Sequence, residues 1–134
     1  MITETKKIFI IKDKKREEAS LLIKEDDSSC SLTLSVMGKV ISDVVSEDFF
    51  SCFSELRRRL PEMVFLCKGA KTNVYPSRMS RQMSRGMNAY ECTMGKPALR
   101  ENIVHIFDFD DENISSCPDE QDAYHRNWLM SLRK

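Results

Sequence analysis

The residues able to do chemistry in this chain are few. There are two histidines, His105 and His125, and five cysteines, at positions 30, 52, 67, 92 and 117. A general base needs a polarised imidazole, and a nucleophile needs a neighbouring base. His105 lies between Val104 and Ile106 in an apparent strand, so its side chain points away from both. That placement reads as a solvent-facing or hydrogen-bonded structural histidine. His125 lies close to several acids, which would raise its pKa. The cysteines are odd in number and widely spaced, with no CxxC, so neither a disulfide framework nor a zinc site is expected. Cys52, Cys67 and Cys92 sit among apolar residues, where a thiol behaves as a small hydrophobe. No metalloprotease helix motif, nucleophile elbow, phosphate loop or dinucleotide fingerprint occurs.

Two charged features remain. Met79, Met83 and Met87 are spaced i, i+4, i+8, and Arg78, Arg81 and Arg85 are spaced i, i+3, i+7. On a helix these form opposed stripes. The plain reading places methionine in the core and arginine in water. The functional reading is a basic face for phosphate, which Lys68 and Lys71 could extend. Between Asp108 and Asp122 there are seven acids and no base. Asp108, Asp110, Asp111 and Glu112 offer oxygens to a divalent ion, but the glycine and terminal glutamate of a calcium loop are missing. No metal and no cofactor are therefore expected.

These groups belong to a larger segregation of charge. The chain has 134 residues, 21 basic and 21 acidic, and a net charge of zero. Residues 1–56 carry a net −3, residues 57–100 a net +8, and residues 101–134 a net −5. A neutral chain is a poor bulk nucleic-acid binder. Either the basic middle and acidic end pair with each other, or one of them is a docking surface that speeds and selects association.

Length and composition point to one domain over residues 1–134. A chain of this size buries about two thirds of its unfolded surface without a metal or disulfide. No run of about 18 apolar residues predicts a membrane span. The N-terminal apolar run, Ile8 to Ile11, is too short for a signal peptide, so a cytoplasmic location is expected.

The elements that position these residues can be read in order. Residues 7–12 and 19–24 read as strands separated by a charged loop, Asp13 to Glu18. Residues 31–37 alternate cleanly and read as a half-buried strand, followed by a turn at Gly38 and a strand at 40–45. Ser46 reads as the cap of a helix over 47–60, with Phe49, Phe53, Leu56 and Leu60 on one face, Arg57 to Arg59 in the last turn and Pro61 as the stop. Residues 63–67 read as a buried strand and 69–76 as a polar loop. A short helix over 77–86 follows, capped by Ser77. Residues 89–94 and 102–107 read as strands. The final helix, 118–132, has Pro118 at its first position, Tyr124, Trp128 and Leu132 on one face, and Arg133 and Lys134 at its C-terminal end. This is not a regular βαβ alternation. It predicts an α+β domain with a mainly antiparallel sheet.

The stretch Tyr75 to Tyr90 (YPSRMSRQMSRGMNAY), with Gly95 and Ile103 to Asp108 (IVHIFD), resembles a pattern in small bacterial immunity proteins of polymorphic toxin systems, including contact-dependent growth inhibition. The resemblance covers residues 73–108. The pattern often has Gly where this chain has Arg78. The resemblance implies a non-enzymatic cytosolic inhibitor that binds a cognate toxin domain and blocks its active site. Such toxins are often nucleases with basic clefts, which an acidic patch would fit. Under that reading the contacts are Asp108, Asp110, Asp111, Glu112, Asp119 and Asp122. The alternative is a small nucleic-acid-binding or regulatory protein that uses Arg78, Arg81 and Arg85.

Overall fold

The computed structural model describes residues 2–133, so Lys134, expected at the end of the last helix, lies outside the described residues. The first half is a meander. Strands β1 (Ile2–Lys12), β2 (Lys15–Glu25), β3 (Cys30–Val36) and β4 (Lys39–Ser46) pair antiparallel in sequence. A short β5 (Val64–Phe65) completes a five-stranded sheet of order β4-β3-β2-β1-β5. The charged loop expected at 13–18 shrinks to two residues. Asp13 and Lys14 have φ of 52° and 64°, the left-handed pair that matches strand twist in a tight hairpin. Lys15 to Glu18 are therefore strand, and their charges are tolerated because this end of the hairpin overhangs the core.

Period-two alternation sends Ile8, Ile10, Leu21, Ile23, Leu32 and Leu34 to one face, where all are buried. Helix α1 (Phe49–Arg59) lies on that face. Its cap is Asp48 rather than Ser46: the Asp48 carboxylate accepts from Ser51 N at 2.7 Å. Phe53 is the hub, meeting Phe65 and Phe107 edge to face at 5.5 and 5.2 Å.

The second half is less regular. Strands β6 (Val74–Tyr75), β7 (Asn88–Glu91) and β8 (Ile103–His105) form a three-stranded antiparallel sheet of order β6-β7-β8. β6 falls where a loop was expected; two residues are too few for alternation to be visible. Helix α2 (Arg78–Met83) starts at Ser77, whose hydroxyl accepts from Ser80 N, and α3 (Pro118–Ser131) starts at its proline as expected. The two halves share one core, in a single compact α+β domain. No helix is long and apolar enough to cross a membrane.

A buried polar knot ties α1 to α3. Arg57, in the last turn of α1 as expected, is only 7% exposed. Its guanidinium donates to Gln121 Oε1 at 2.7 Å and to the Ser115 hydroxyl. Burial pushes its pKa down to about 10. Gln121, 1% exposed, donates through Nε2 to the carbonyls of Gly69, Lys71 and Val74.

Candidate partner-binding surface

The acidic segment is set in place by its neighbours in sequence. Ile106 and Phe107 are fully buried, and from there the chain rises to the surface at Asp108. Backbone bonds then lace it to residues 66–72: Gly69 N to Ile106 O at 2.7 Å, Lys68 N to Asp108 O at 2.8 Å, Asp110 N to Leu66 O at 3.2 Å and Thr72 N to Asn113 O at 2.8 Å. The approach is close enough to demand glycine at position 69, where a Cβ would stand 2.6 Å from that of Ile106.

The six acids divide by what they touch. Asp110 is held inside: its Oδ2 accepts from Lys68 Nζ at 3.1 Å and Lys71 Nζ at 2.8 Å, and its Oδ1 from Glu112 N at 2.9 Å. Lys71, which also pairs with Glu91 at 3.1 Å, does most to hold the Asp110 carboxyl well below the usual carboxylate range. Asp122 accepts from the Tyr75 hydroxyl at 2.9 Å and stands 3.8 Å from Arg58. Asp108 and Asp119 are exposed, each against one cation: Lys6 at 3.1 Å and Arg58 at 2.9 Å. Asp111 and Glu112 are exposed, and among the described residues neither carboxylate has an ion-pair or hydrogen-bond partner. Much of the acidic end thus pairs with the basic middle. Of the six candidate contacts, Asp110 is held within the fold with its side chain only 16% exposed, whereas Asp122 spends one oxygen on Tyr75 and keeps its side chain 39% exposed.

One residue of this surface escaped the sequence reading. Phe109 is 45% exposed between Asp108 and Asp110. It meets Phe9 edge to face at 6.0 Å, and the Arg16 guanidinium lies 4.9 Å from its ring and 4.8 Å from that of Phe9. Alternation gives no warning of it: a period of two would put Phe109 on the buried side with Phe107, but β8 ends at His105 and the chain leaves the sheet before Phe109.

The stripes depart from the plain reading in part: Met87, beyond the end of α2, packs on the core as expected, but the other two methionines face out. Met79 and Met83 are 70% and 82% exposed, and two of the arginines turn inward. Arg81 pairs with Asp48 at 2.7 Å and bonds Ser51, and Arg85 reaches the Asp26 carbonyl and Glu25 at 3.3 Å. The acids at the start of α1 and the end of β2 outcompete the methionines for the inner side of this short helix. Of these three arginines, Arg78 alone is exposed with no ion pair among the described residues.

The histidines adjoin this surface without joining it: His105 O accepts from Asp108 N at 3.1 Å, and His125 stacks on the Tyr75 that bonds Asp122. His105 is half-buried and its Nδ1 accepts from Phe107 N at 3.2 Å. His125 stacks between Tyr75, at 4.1 Å between centroids, and Trp128, at 5.6 Å. The acids were expected to raise the His125 pKa. Burial and then Arg81 lower it instead, outweighing Asp122. Beside it Tyr90, Cys92, Pro97 and Leu132 complete an open apolar groove of about 340 Å³. Cys30, Cys52, Cys67 and Cys92 are buried, with thiols pushed up to about 11, 12, 12 and 11 by desolvation, so they are protonated hydrophobes at neutral pH. No protein-family model and no curated protein matches the chain.

Proposed function

We propose that the chain is a non-enzymatic immunity protein, acting in the cytoplasm, that neutralises a cognate toxin domain of the nuclease kind by covering its basic active-site cleft. The observation that carries this reading is the acidic loop. Lys68 and Lys71 clamp Asp110 from within, and the loop offers Asp111 and Glu112, unpaired among the described residues, beside half-exposed Phe109. A half-exposed aromatic side chain bordered by charged groups matches the apolar centre and polar rim of a protein interface. A loop already held by backbone bonds loses little entropy on binding. The nucleic-acid alternative is weakened because Arg81 and Arg85 are engaged within the chain, leaving Arg78 alone of the three.

The test is affinity capture from host lysate, with and without nuclease treatment, followed by titration of the captured protein at two salt concentrations. The expected result is one stoichiometric protein partner retained after nuclease. Asp111→Lys with Glu112→Lys should slow its association by about tenfold at low salt, and Arg78→Glu should not. Recovery of RNA or DNA that high salt releases, or affinity untouched by the charge reversal, overturns the reading.

A further inference from the structure

The five-stranded sheet has an open edge. β5 covers β1 only at Ile10 and Ile11, with one more bond from Leu66 N to Phe9 O at 3.0 Å. From Ile2 to Ile8 the outer side of β1 has no strand beside it among the described residues. The hairpin register says which groups face outward. Lys12 and Lys15 flank the two-residue turn and exchange both bonds, so alternate residues turn away from β2. Thr3, Thr5 and Lys7 therefore aim their N–H and C=O groups at open solvent, and all three residues are exposed. Such an edge is a template for another strand.

We infer that this edge pairs with the same edge of a second copy of the chain, antiparallel about a two-fold axis at Thr5. Three observations on the edge agree. Thr5 is the midpoint of the free stretch. Outward-facing residues must pair with outward-facing residues, so Thr5 meets Thr5 and Thr3 meets Lys7 as hydrogen-bonded pairs. Glu4 then stands opposite Lys6 of the second copy, twice by symmetry, in the non-hydrogen-bonded positions where side chains are closest, about 4.5 Å between Cα atoms. Moving the axis by one residue places Glu4 against Glu4 or Lys6 against Lys6. Only the register centred on Thr5 is charge-matched. The result is a ten-stranded sheet running through both copies.

Sedimentation velocity over a hundredfold concentration range tests this. The mass should rise from the 15.6 kDa of one chain towards twice that value. Thr5→Pro removes an N–H that is unbonded in the single chain and should abolish the dimer without loss of fold, since proline is tolerated on strand edges. Glu4→Lys and Lys6→Glu should each weaken the dimer by about tenfold, and the two together should restore it. Register is read by crosslinking in a Cys117→Ser background, because Cys117 is the one exposed thiol among the described residues. Thr5→Cys should oxidise to a covalent dimer, since a hydrogen-bonded pair brings Cα atoms to about 5.5 Å. Thr3→Cys should crosslink only when mixed with Lys7→Cys. A chain that stays monomeric throughout, or a dimer that survives Thr5→Pro and ignores the charge swap, overturns the proposal. If Thr5→Pro fails to fold, the charge swap alone decides.

Discussion

The sheet with α1 and the stretch from Lys68 to Ser131 are stabilised in different ways. In the first, the interior is apolar and periodic: Leu21, Leu32 and Leu34 from the strands meet Phe49, Phe53 and Leu56 from α1, and all are buried. Here burial of apolar surface, at roughly 25 cal/mol per Å², does most of the stabilising. In the second, strands run two to four residues, and the loops between them are joined by side chains. Gln121 gathers three carbonyls, Arg57 joins Gln121 to Ser115, and Asp110 gathers two lysines. Irregular backbone leaves polar groups without ladder partners, so something must satisfy them when they are buried. A polar knot does so at the cost of being intolerant of a missing member. The part of the molecule that carries the acidic surface is therefore the part held by specific bonds.

The sharpest way to break the comparison is to remove one member of the knot. Gln121→Ala leaves Arg57 buried without one of its acceptors and takes the side-chain donor from the Gly69 and Val74 carbonyls, while Lys71 O keeps its bond from Val74 N at 3.2 Å, and should cost about 4 kcal/mol in urea unfolding. Replacing the Arg57 and Gln121 pair by Met and Leu together should recover the part of that loss that comes from the stranded guanidinium, while the Gly69 and Val74 carbonyls stay without that donor. If the single and the double variant are equally unstable, the knot is not a unit. In the apolar half, Leu34→Ala should cost about 3 kcal/mol through the cavity it leaves, with no such rescue by a polar partner. Gly69→Ala falls between the two kinds of packing. Its methyl would press on Ile106 Cβ at 2.6 Å and Ile106 O at 2.9 Å, and the loop must shift, for about 2 kcal/mol. Amide exchange should then quicken at Thr72 and Ser115 before it quickens in β2 or β3.

The same division decides what could be read from sequence. β3 and α1 were legible because alternation and the 3.6-residue period are local signals that burial enforces. The extent of β1 and β2 was not, because Glu4, Lys6 and Lys15 to Glu18 lie beyond the core and obey hairpin geometry instead. The acidic run was visible as composition, but which acids face water depends on contacts such as Asp110 with Lys71 and Tyr75 with Asp122, 39 and 47 residues apart. The α2 stripes were visible as a pattern, and their sense was lost for the same reason. The inner side of a six-residue helix is set by what waits there: Asp48 takes Arg81 on the helix, and Glu25 takes Arg85 just beyond it.

The smallest expected effect separates the clamp from the surface it presents. Asp110 and Asp111 are adjacent acids, one gripped by two lysines and one free among the described residues. The folded pKa of Asp110 is depressed below its unfolded value, near 3.9. Its carboxylate therefore contributes stability that is fully present above about pH 4 and fades as pH falls further. Asp110→Asn should cost about 1 kcal/mol, constant from pH 7 down to pH 5, and the gap to the unaltered chain should narrow below about pH 4. Asp111→Asn should change stability by less than about 0.5 kcal/mol at any pH. Partner binding should order the two otherwise. Asp111→Asn removes a charge the partner meets and should slow association and leave the folded loop as it is. Asp110→Asn leaves the outward charges in place and loosens their support, so it should speed dissociation more than it slows association. Equal pH profiles for the two variants would mean that the lysine clamp does not hold the loop.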